Sequence, residues 1–426
     1  MFLSIKNTGK ISSAEIELKG ITVMAGVNNT GKSTVGKVLF CLFNSFYRIE
    51  QQIEQERIRS IGLIIVHCYR ESTNRMPIRY DPDEIAENLL SKKADYVDIN
   101  HLMEDLRELL IQADKSYEKN VNNEALLTAS KKIAQILSVS DEDIFIIVFK
   151  KRLQAEFNMQ INNIYRPGLC SEIELVIKNK AVKVAILDDE YIKIENQYSL
   201  NTEVIYLDDP LALDDPRASM YSSGNHREHL RLKLMTYSDD SPVKDAFDEI
   251  ITTKRLETVF KKLNHICKGE LFRKSNTPRL DVAYRENNSE IALDIKNVST
   301  GLKTFVIVKT LLLNGSLEEN GIIVLDEPEI HLHPEWQVKF AELIVLLQKE
   351  FNMHILLNTH SNYFLDAIEV YSHIYGISEK CKYYLAEDHD GIATISNVSD
   401  SIEKIYNKLA RPLQVLEDMR YPDDMH

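Results

Sequence analysis

The stretch Gly26-Val27-Asn28-Asn29-Thr30-Gly31-Lys32-Ser33 constrains this chain more than any other part of it. It matches the phosphate-loop pattern, with Lys and Ser directly after the second glycine. Such a loop works only between a strand and the start of a helix, because its backbone N–H groups and the positive end of the helix must all face one anion. An apolar strand, Ile21 to Ala25, leads in, and helical spacing begins at Ser33. Lys32 is then placed to reach the β- and γ-phosphates and the Ser33 hydroxyl to ligate Mg2+, with Gly26, Asn28, Asn29, Thr30, Gly31 and Thr34 completing the cradle. ATP and Mg2+ are the expected cofactors, on an α/β scaffold.

The rest of the chain must be built around that unit, and 426 residues at 44% hydrophobic composition suffice for two or three domains. Phe2 to Asn7, Ala14 to Leu18 and Ile21 to Ala25 read as short strands separated by turns at Gly9 and Gly20, an antiparallel β part ahead of the loop. From Ser33 to about Pro167 the apolar spacing is helical, as in Leu102-Leu106-Leu109-Leu110. The period becomes two between Glu172 and Tyr198, and Val204 to Leu207 reads as a buried strand. A second helical stripe, Leu256-Val259-Phe260-Leu263, precedes a hairpin of Leu280 to Tyr284 with Ile291 to Ile295.

From Thr300 onward helix alternates with strand: Ile322 to Leu325, helix Pro334 to Glu350, strand His354 to Leu357, helix Asn362 to Glu369. That alternation predicts a parallel sheet covered by helices. A strand pair near Tyr383 to Ile395 and a closing helix at Ser401 to Leu409 complete the pattern. The expected organisation is a discontinuous nucleotide-binding domain at 1–45, 170–211 and 276–426, a helical insertion at 46–169 and a second helical lobe at 212–275.

Charge and cysteine usage narrow the function classes. A net charge of −14 excludes a surface that is basic all round, so any DNA contact needs a local patch or a partner. The densest basic stretch, Lys254 to Lys274, reads first as a solvated helix face. Five cysteines without a C-x-x-C pair read as reduced thiols. A strand-like FLSIKN starting at Phe2 leaves no room for a secretory leader, and no apolar run approaches the ~18 to 20 residues of a membrane span. A cytoplasmic protein without a membrane partner is expected.

Ile322 to Leu325 ends in Asp326-Glu327. A strand ending in two carboxylates is by itself an ordinary solvated strand end. Paired with a phosphate loop it resembles a Walker B element, in which Asp326 holds Mg2+ through water and Glu327 polarises the attacking water. Val298-Ser299-Thr300-Gly301-Leu302-Lys303 lies 25 residues ahead of Asp326, counting from Gly301, and resembles a signature motif whose small residues open a helix. His360, in Leu357-Asn358-Thr359-His360-Ser361, stands 34 residues after Asp326 and resembles a switch histidine contacting the γ-phosphate. Between them Pro328 to Pro334 resembles a D-loop, with Pro334 placed as a first helical residue. His331 and His333 beside Glu329 find no further ligand in the sequence and do not make a metal site.

Taken together, IKNTGKISSAEIEL, GVNNTGKST, LDEPEIHLHPEW and NTHSNYFL resemble the AAA-type ATPases of the ABC/SMC superfamily found in bacterial anti-phage systems: the ATPase half of OLD-family nucleases, the Septu ATPase and the ATPase of the PARIS system. The resemblance covers about 1–45 and 200–410 and implies an α/β P-loop NTPase of ABC-ATPase type, with an N-terminal antiparallel β part, a parallel core sheet and helical insertions. It also implies a homodimer or higher oligomer of head-to-tail domains, in which Ser299 and Gly301 of one copy complete the site of the other.

Departures from that pattern are informative. Asp208 and Asp209 follow Leu207 where ABC-type domains place a glutamine, and the signature reads Ser-Thr-Gly rather than Ser-Gly-Gly. No sustained heptads or hook cysteines build a long arm. The residues after His360 carry no acidic nuclease constellation of the kind OLD nucleases add, so an effector nuclease or toxin is expected to be a separate protein. The leading expectation is an ATPase that senses phage or foreign DNA and controls such an effector. The alternative is a DNA-maintenance ATPase that clamps nucleic acid directly. A transporter ATPase subunit fits the motifs but neither the insertions nor the missing glutamine.

Overall fold

The computed structural model describes residues 1–74, 81–96, 98–214, 224–235, 257–273, 282–287 and 289–420. The chain divides into two compact units, Met1–Tyr47 with Lys150–His426, and Arg48–Phe149.

The first unit is organised by one large mixed sheet. Strands β1 (Phe2–Thr8), β2 (Ile11–Glu17), β4 (Ser171–Ile177), β5 (Lys180–Leu187) and β6 (Tyr191–Glu195) form its antiparallel part, in the order β6-β5-β4-β1-β2. Their burial alternates, as one covered face requires. The parallel part is β13-β3-β12-β11-β7, built from β3 (Ile21–Ala25), β7 (Val204–Leu207), β11 (Ile322–Asp326), β12 (His354–Thr359) and β13 (Cys381–His389). Strands β3, β7 and β11 are buried at every position and read as continuous apolar runs, which is what strands covered on both faces demand. β14 (Ile392–Asn397) joins the two parts, antiparallel to β13 and parallel to β2.

Helices α1 (Lys32–Phe46), α9 (Thr300–Leu313), α10 (Pro334–Phe351) and α11 (Asn362–Ile374) accompany the parallel strands. This is the α/β arrangement that the sequence leads one to expect, with an N-terminal antiparallel β part, a parallel core sheet and a helical insertion. Helix α7 (His226–Met235) and a further helix, α8 (257–263), contribute Leu230, Leu234, Val259 and Leu263 to the same core as Ile205, Phe305 and Ile323. Leu256 and both ends of the Lys254 to Lys274 stretch lie outside the described residues. The expected hairpin has a third strand: β9 (Val282–Glu286) pairs with β10 (Ala292–Asp294) and also with β8 (Gly269–Arg273), while Leu280 and Asp281 lie outside the described residues.

The closing helix α12 (Glu403–Arg420) continues well beyond Leu409, through Pro412. The surrounding residues are good helix formers on an exposed stretch, where water satisfies the carbonyl that Pro412 leaves unbonded.

The second unit is helical, with α2 (Ile49–Thr73), α3 (Pro82–Ser91), α4 (Ile99–Ala113), α5 (Asn123–Ser138) and the start of α6 (Asp141–Phe157). Ile61, Ile65, Leu89, Leu102, Leu106, Leu110, Leu126 and Ile133 recur at helical spacing and form its core. Asp81, Asp98 and Asn122 cap α3, α4 and α5 by accepting backbone N–H bonds. Among the described residues no helix is long and apolar enough to cross a membrane.

Candidate functional site

The carboxyl ends of parallel strands in such sheets are where ligands bind, because the chain leaves each strand into a loop there. Here those ends carry Gly26 after β3, Asp208 after β7, Asp326 and Glu327 at β11, and His360 after β12. Register places Asp326 opposite Asn358, and Thr359 opposite Ala25.

The phosphate loop turns into α1 at Gly31, whose φ of 82° lies in the left-handed region that glycine enters without penalty. Lys32 is only 4% exposed, and its Nζ donates to the carbonyls of Gly26 and Val27, both at 2.9 Å. Thr30 Oγ1 donates to Val27 O at 2.8 Å. The lysine therefore lies across the mouth of its own loop. Burial pushes its pKa down, against the pull of Glu327, Asp326 and Glu329.

A cavity of about 250 Å³ is lined by Lys10, residues 28–34 and Glu327. Asn28, Asn29 and Ser33 are exposed there. Lys10 comes from the turn between β1 and β2, and its Nζ donates to Asn29 O at 3.2 Å and to Asp388 Oδ2 at 2.6 Å. A larger hollow of about 330 Å³ lies over β1, β4, β5 and β6, but its lysines are paired with its own glutamates, Lys6 with Glu172, Lys183 with Glu174 and Lys193 with Glu195. The loop cavity is the one equipped for a phosphate.

Asp326 is buried and held on both oxygens. Oδ2 accepts the Tyr206 hydroxyl at 2.8 Å and Oδ1 accepts Asn358 Nδ2 at 2.8 Å. Burial, reinforced by Asp326, keeps the Tyr206 phenol protonated far above its ordinary range, so it remains a donor. Glu327 has a φ of 51°, unusual for a residue with a Cβ, fixed by its N–H donating to Asn358 O at 2.9 Å. Its Oε1 lies 3.4 Å from His360 Nδ1 and 3.9 Å from Lys32 Nζ. The geometry thus brings Lys32, Glu327 and His360 to one mouth.

Beneath them Glu329 is 2% exposed; its Oε1 accepts Thr359 Oγ1 at 2.5 Å and the His360 N–H at 3.2 Å, and burial raises its pKa. It props the histidine's backbone. His331 and His333 are both exposed, and His333 Nδ1 accepts the Glu335 N–H at 3.4 Å as the cap of α10, with Pro334 in the first turn. Among the described residues no group of three or more His, Cys, Asp or Glu is arranged to hold a metal. Mg2+ suits such a site, since it takes one or two protein oxygens and fills the rest with phosphate and water. The Asp326 carboxylate and the exposed Ser33 hydroxyl are oxygens of the kind it takes, and the Tyr206 hydroxyl bonded to Asp326 also lies 3.4 Å from the Ser33 main-chain carbonyl.

Ser299 and Gly301 are not part of the cavity lining. Ser299 is the exposed cap of α9 and its side chain makes no capping bond, while a Cβ at Gly301 would meet His331 O at 2.9 Å. Lys303 anchors this helix start, donating to both oxygens of Asp214 at 2.7 and 2.8 Å.

The two aspartates in place of glutamine are already partnered. Asp208 Oδ2 accepts Arg227 Nε at 2.8 Å and Nη2 at 2.6 Å, and lies 3.0 Å from His226 Nε2. Burial alone would raise its pKa, but His226 and Arg227 outweigh it and hold the value at about 2. Asp209 Oδ1 accepts the Leu211 N–H at 2.8 Å. His226 Nδ1 is 2.6 Å from Glu156 Oε1, and the two carboxylates overcome its burial and raise its pKa to about 9. Neither Lys10, Tyr206, His226 nor Glu156 stood out in the sequence. Only the missing glutamine pointed to this edge.

Residues 1–365 match the AAA ATPase domain family. Among curated proteins, the chain is 38% identical over 98 residues to a retron Vc95 probable ATPase of Vibrio cholerae serotype O1 biovar El Tor, covering 20% of this chain and 18% of that protein. It is 28% identical over 192 residues to a retron Ec83 probable ATPase of Escherichia coli, covering 40% and 34%. The chain thus spans about a third or less of the length of these relatives. Among solved structures, an SMC head domain from Thermotoga maritima aligns over 93% of this chain and 98% of its own, at 10% identity and a TM-score of 0.38. An Smc head domain with an extended coiled coil bound to the C-terminal domain of ScpA, derived from Pyrococcus furiosus, aligns over 98% of both at 11% identity and a TM-score of 0.41.

Proposed function

The chain belongs to the AAA ATPase domain family, and from that premise we propose that it is the ATPase of an anti-phage defence complex, hydrolysing ATP between two head-to-tail copies to control a separate nuclease or toxin. The observation that carries the catalytic part is the placement of Lys32 and Glu327 on the lining of the phosphate-loop cavity, with His360 against Glu327. In this reading the N–H groups of residues 26–34 cradle the phosphates, Lys32 leaves the Gly26 and Val27 carbonyls for the β- and γ-phosphates, and Ser33 with Asp326 holds Mg2+. Bound there, Mg2+ would neutralise charge on the β- and γ-oxygens. Glu327 orients the attacking water and takes its proton, and His360, beside it, contacts the γ-phosphate.

The position of Ser299 and Gly301 off the cavity, with an uncommitted Ser299 side chain, supports their serving a second copy. The defence role rests on the motif resemblance and on the likeness to the two retron ATPases. Light scattering of the Glu327→Gln protein tests the assembly: with ATP and Mg2+ the mass should double, and Ser299→Arg should prevent it. A Glu327→Gln protein that stays monomeric with bound ATP would sink the shared-site reading. Expression together with its genomic neighbours tests the effector, which should co-purify.

A further inference from the structure

Strand β7 reads Val204-Ile205-Tyr206-Leu207, four buried residues with a single side-chain polar atom among them. A buried hydroxyl costs free energy unless it is bonded, and a phenylalanine would fill the same space without that demand. The Tyr206 hydroxyl is bonded to Asp326 Oδ2 at 2.8 Å and lies 3.4 Å from the Ser33 carbonyl, so one phenol spans the two residues to which the proposed reading gives the metal. Asn358 fixes the other oxygen of Asp326 at 2.8 Å, and the two bonds together leave the carboxylate one orientation.

The phenol is itself held from behind. Its ring stacks on His226, with centroids 4.3 Å apart and planes 24° from parallel. His226 is clamped between Glu156 and Asp208, and its backbone N–H also donates to Glu156 Oε2 at 3.0 Å.

We propose that Tyr206 is a positioning residue for the metal-holding carboxylate: its hydroxyl presents Asp326 to Mg2+ beside Ser33, with His226 as its backstop. This rests on the assignment of Ser33 and Asp326 to Mg2+. Partners of this kind behind a metal ligand change metal affinity or activity by about 10- to 100-fold.

Binding of Mn2+ to the full chain saturated with a non-hydrolysable ATP analogue, followed by electron paramagnetic resonance, tests the proposal beside fluorescent-ATP binding in EDTA. Tyr206→Phe should lower Mn2+ affinity roughly tenfold and leave nucleotide affinity in EDTA unchanged. The Mg2+ concentration giving half-maximal hydrolysis should rise by a similar factor. In an Asp326→Asn background, which should itself bind Mn2+ weakly, adding Tyr206→Phe should change nothing further. Tyr206→Met, which also lacks the hydroxyl, answers the same question if the phenylalanine protein does not fold. Wild-type Mn2+ affinity in the hydroxyl-less protein, or an equal further loss in the Asp326→Asn background, overturns the proposal. Unchanged Mn2+ affinity in Asp326→Asn alone overturns the metal assignment, and the proposal with it.

Discussion

On one side of Asp326 stand Lys32, Glu327 and His360, spaced at 3.4 and 3.9 Å, with the glutamate 24% and the histidine 40% exposed. On the other stand Asp208, His226 and Glu156, closed up at 2.6 and 3.0 Å, with His226 and Glu156 all but inaccessible. Both are histidine–carboxylate clusters, and residue type alone would not tell them apart. Their spacing does. Buried charges must find partners within the fold, and in the tight cluster they do: His226 lies between two carboxylates, and Asp208 also accepts from Arg227. A loose cluster at a cavity mouth retains capacity for a ligand. On the proposed reading, chemistry belongs to the first and support of Asp326 to the second.

The sharpest attack on this division is Glu327→Gln. Losing the one carboxylate among the described residues that line the cavity should lower the rate of ATP hydrolysis by about 10² to 10⁴ while ATP affinity stays near wild type. A variant that turns over normally would move the catalytic group elsewhere, and the tight cluster would be the first place to look. Next in size is Lys32→Ala. Removing the one buried ammonium of the loop should weaken ATP binding by roughly 100-fold or more in calorimetry, through lost charge-assisted bonds. Retained affinity would mean that the backbone cradle and Lys10 suffice.

The loose cluster was legible in the sequence because each member sits in a local pattern at the end of an apolar run: Ile21 to Ala25 before the loop, Ile322 to Leu325 before Asp326, Ile355 to Leu357 before His360. Strand ends in a parallel sheet converge, so local patterns sufficed to gather the site and to give the fold class. The tight cluster was not legible because nothing local marks it. Glu156, Tyr206 and His226 come from α6, β7 and α7, which tertiary packing alone brings together. The one trace was a lone hydroxyl in Val204 to Leu207, and a tyrosine is common in strands. Strand β8 was missed for a similar reason, since Gly269 to Arg273 has little apolar alternation and is recruited by pairing with β9. Lys10 follows the turn glycine Gly9, and its reach to Asn29 depends on how the turn between β1 and β2 folds back over the loop.

Stability against pH probes the tight cluster itself. The folded-state pKa of His226 is raised to about 9 from 6.5, by Asp208 and Glu156 against its own burial, so its stabilisation is complete below pH 6.5 and disappears as pH rises through 9. Asp208 works the other way: held at about 2 against 3.8, it contributes above pH 3.8 and loses that contribution as pH falls through 2. Arg227 and Tyr206 also face this group. The alkaline loss is on the order of 3 kcal/mol. Wild-type Tm should therefore decline between pH 6.5 and 9. His226→Gln should begin lower, because two buried carboxylates lose their cation, and decline less over that interval. Parallel curves for the two proteins would show that His226 is neutral, and that burial wins over its partners.

The smallest expected effect concerns a carboxylate that is satisfied yet exposed. Asp98 Oδ1 accepts the N–H groups of Asn100 and His101 at 2.8 and 2.9 Å at the start of α4, bonds as short as those of the tight cluster. Water stands ready to replace them, so Asp98→Ala should cost only about 1 kcal/mol, seen as faster amide exchange in the first turn of α4. If short bonds alone made a cluster structural, this variant would cost as much as His226→Gln. A loss of similar size in the two proteins would therefore remove burial from the argument and leave distance as the sole criterion.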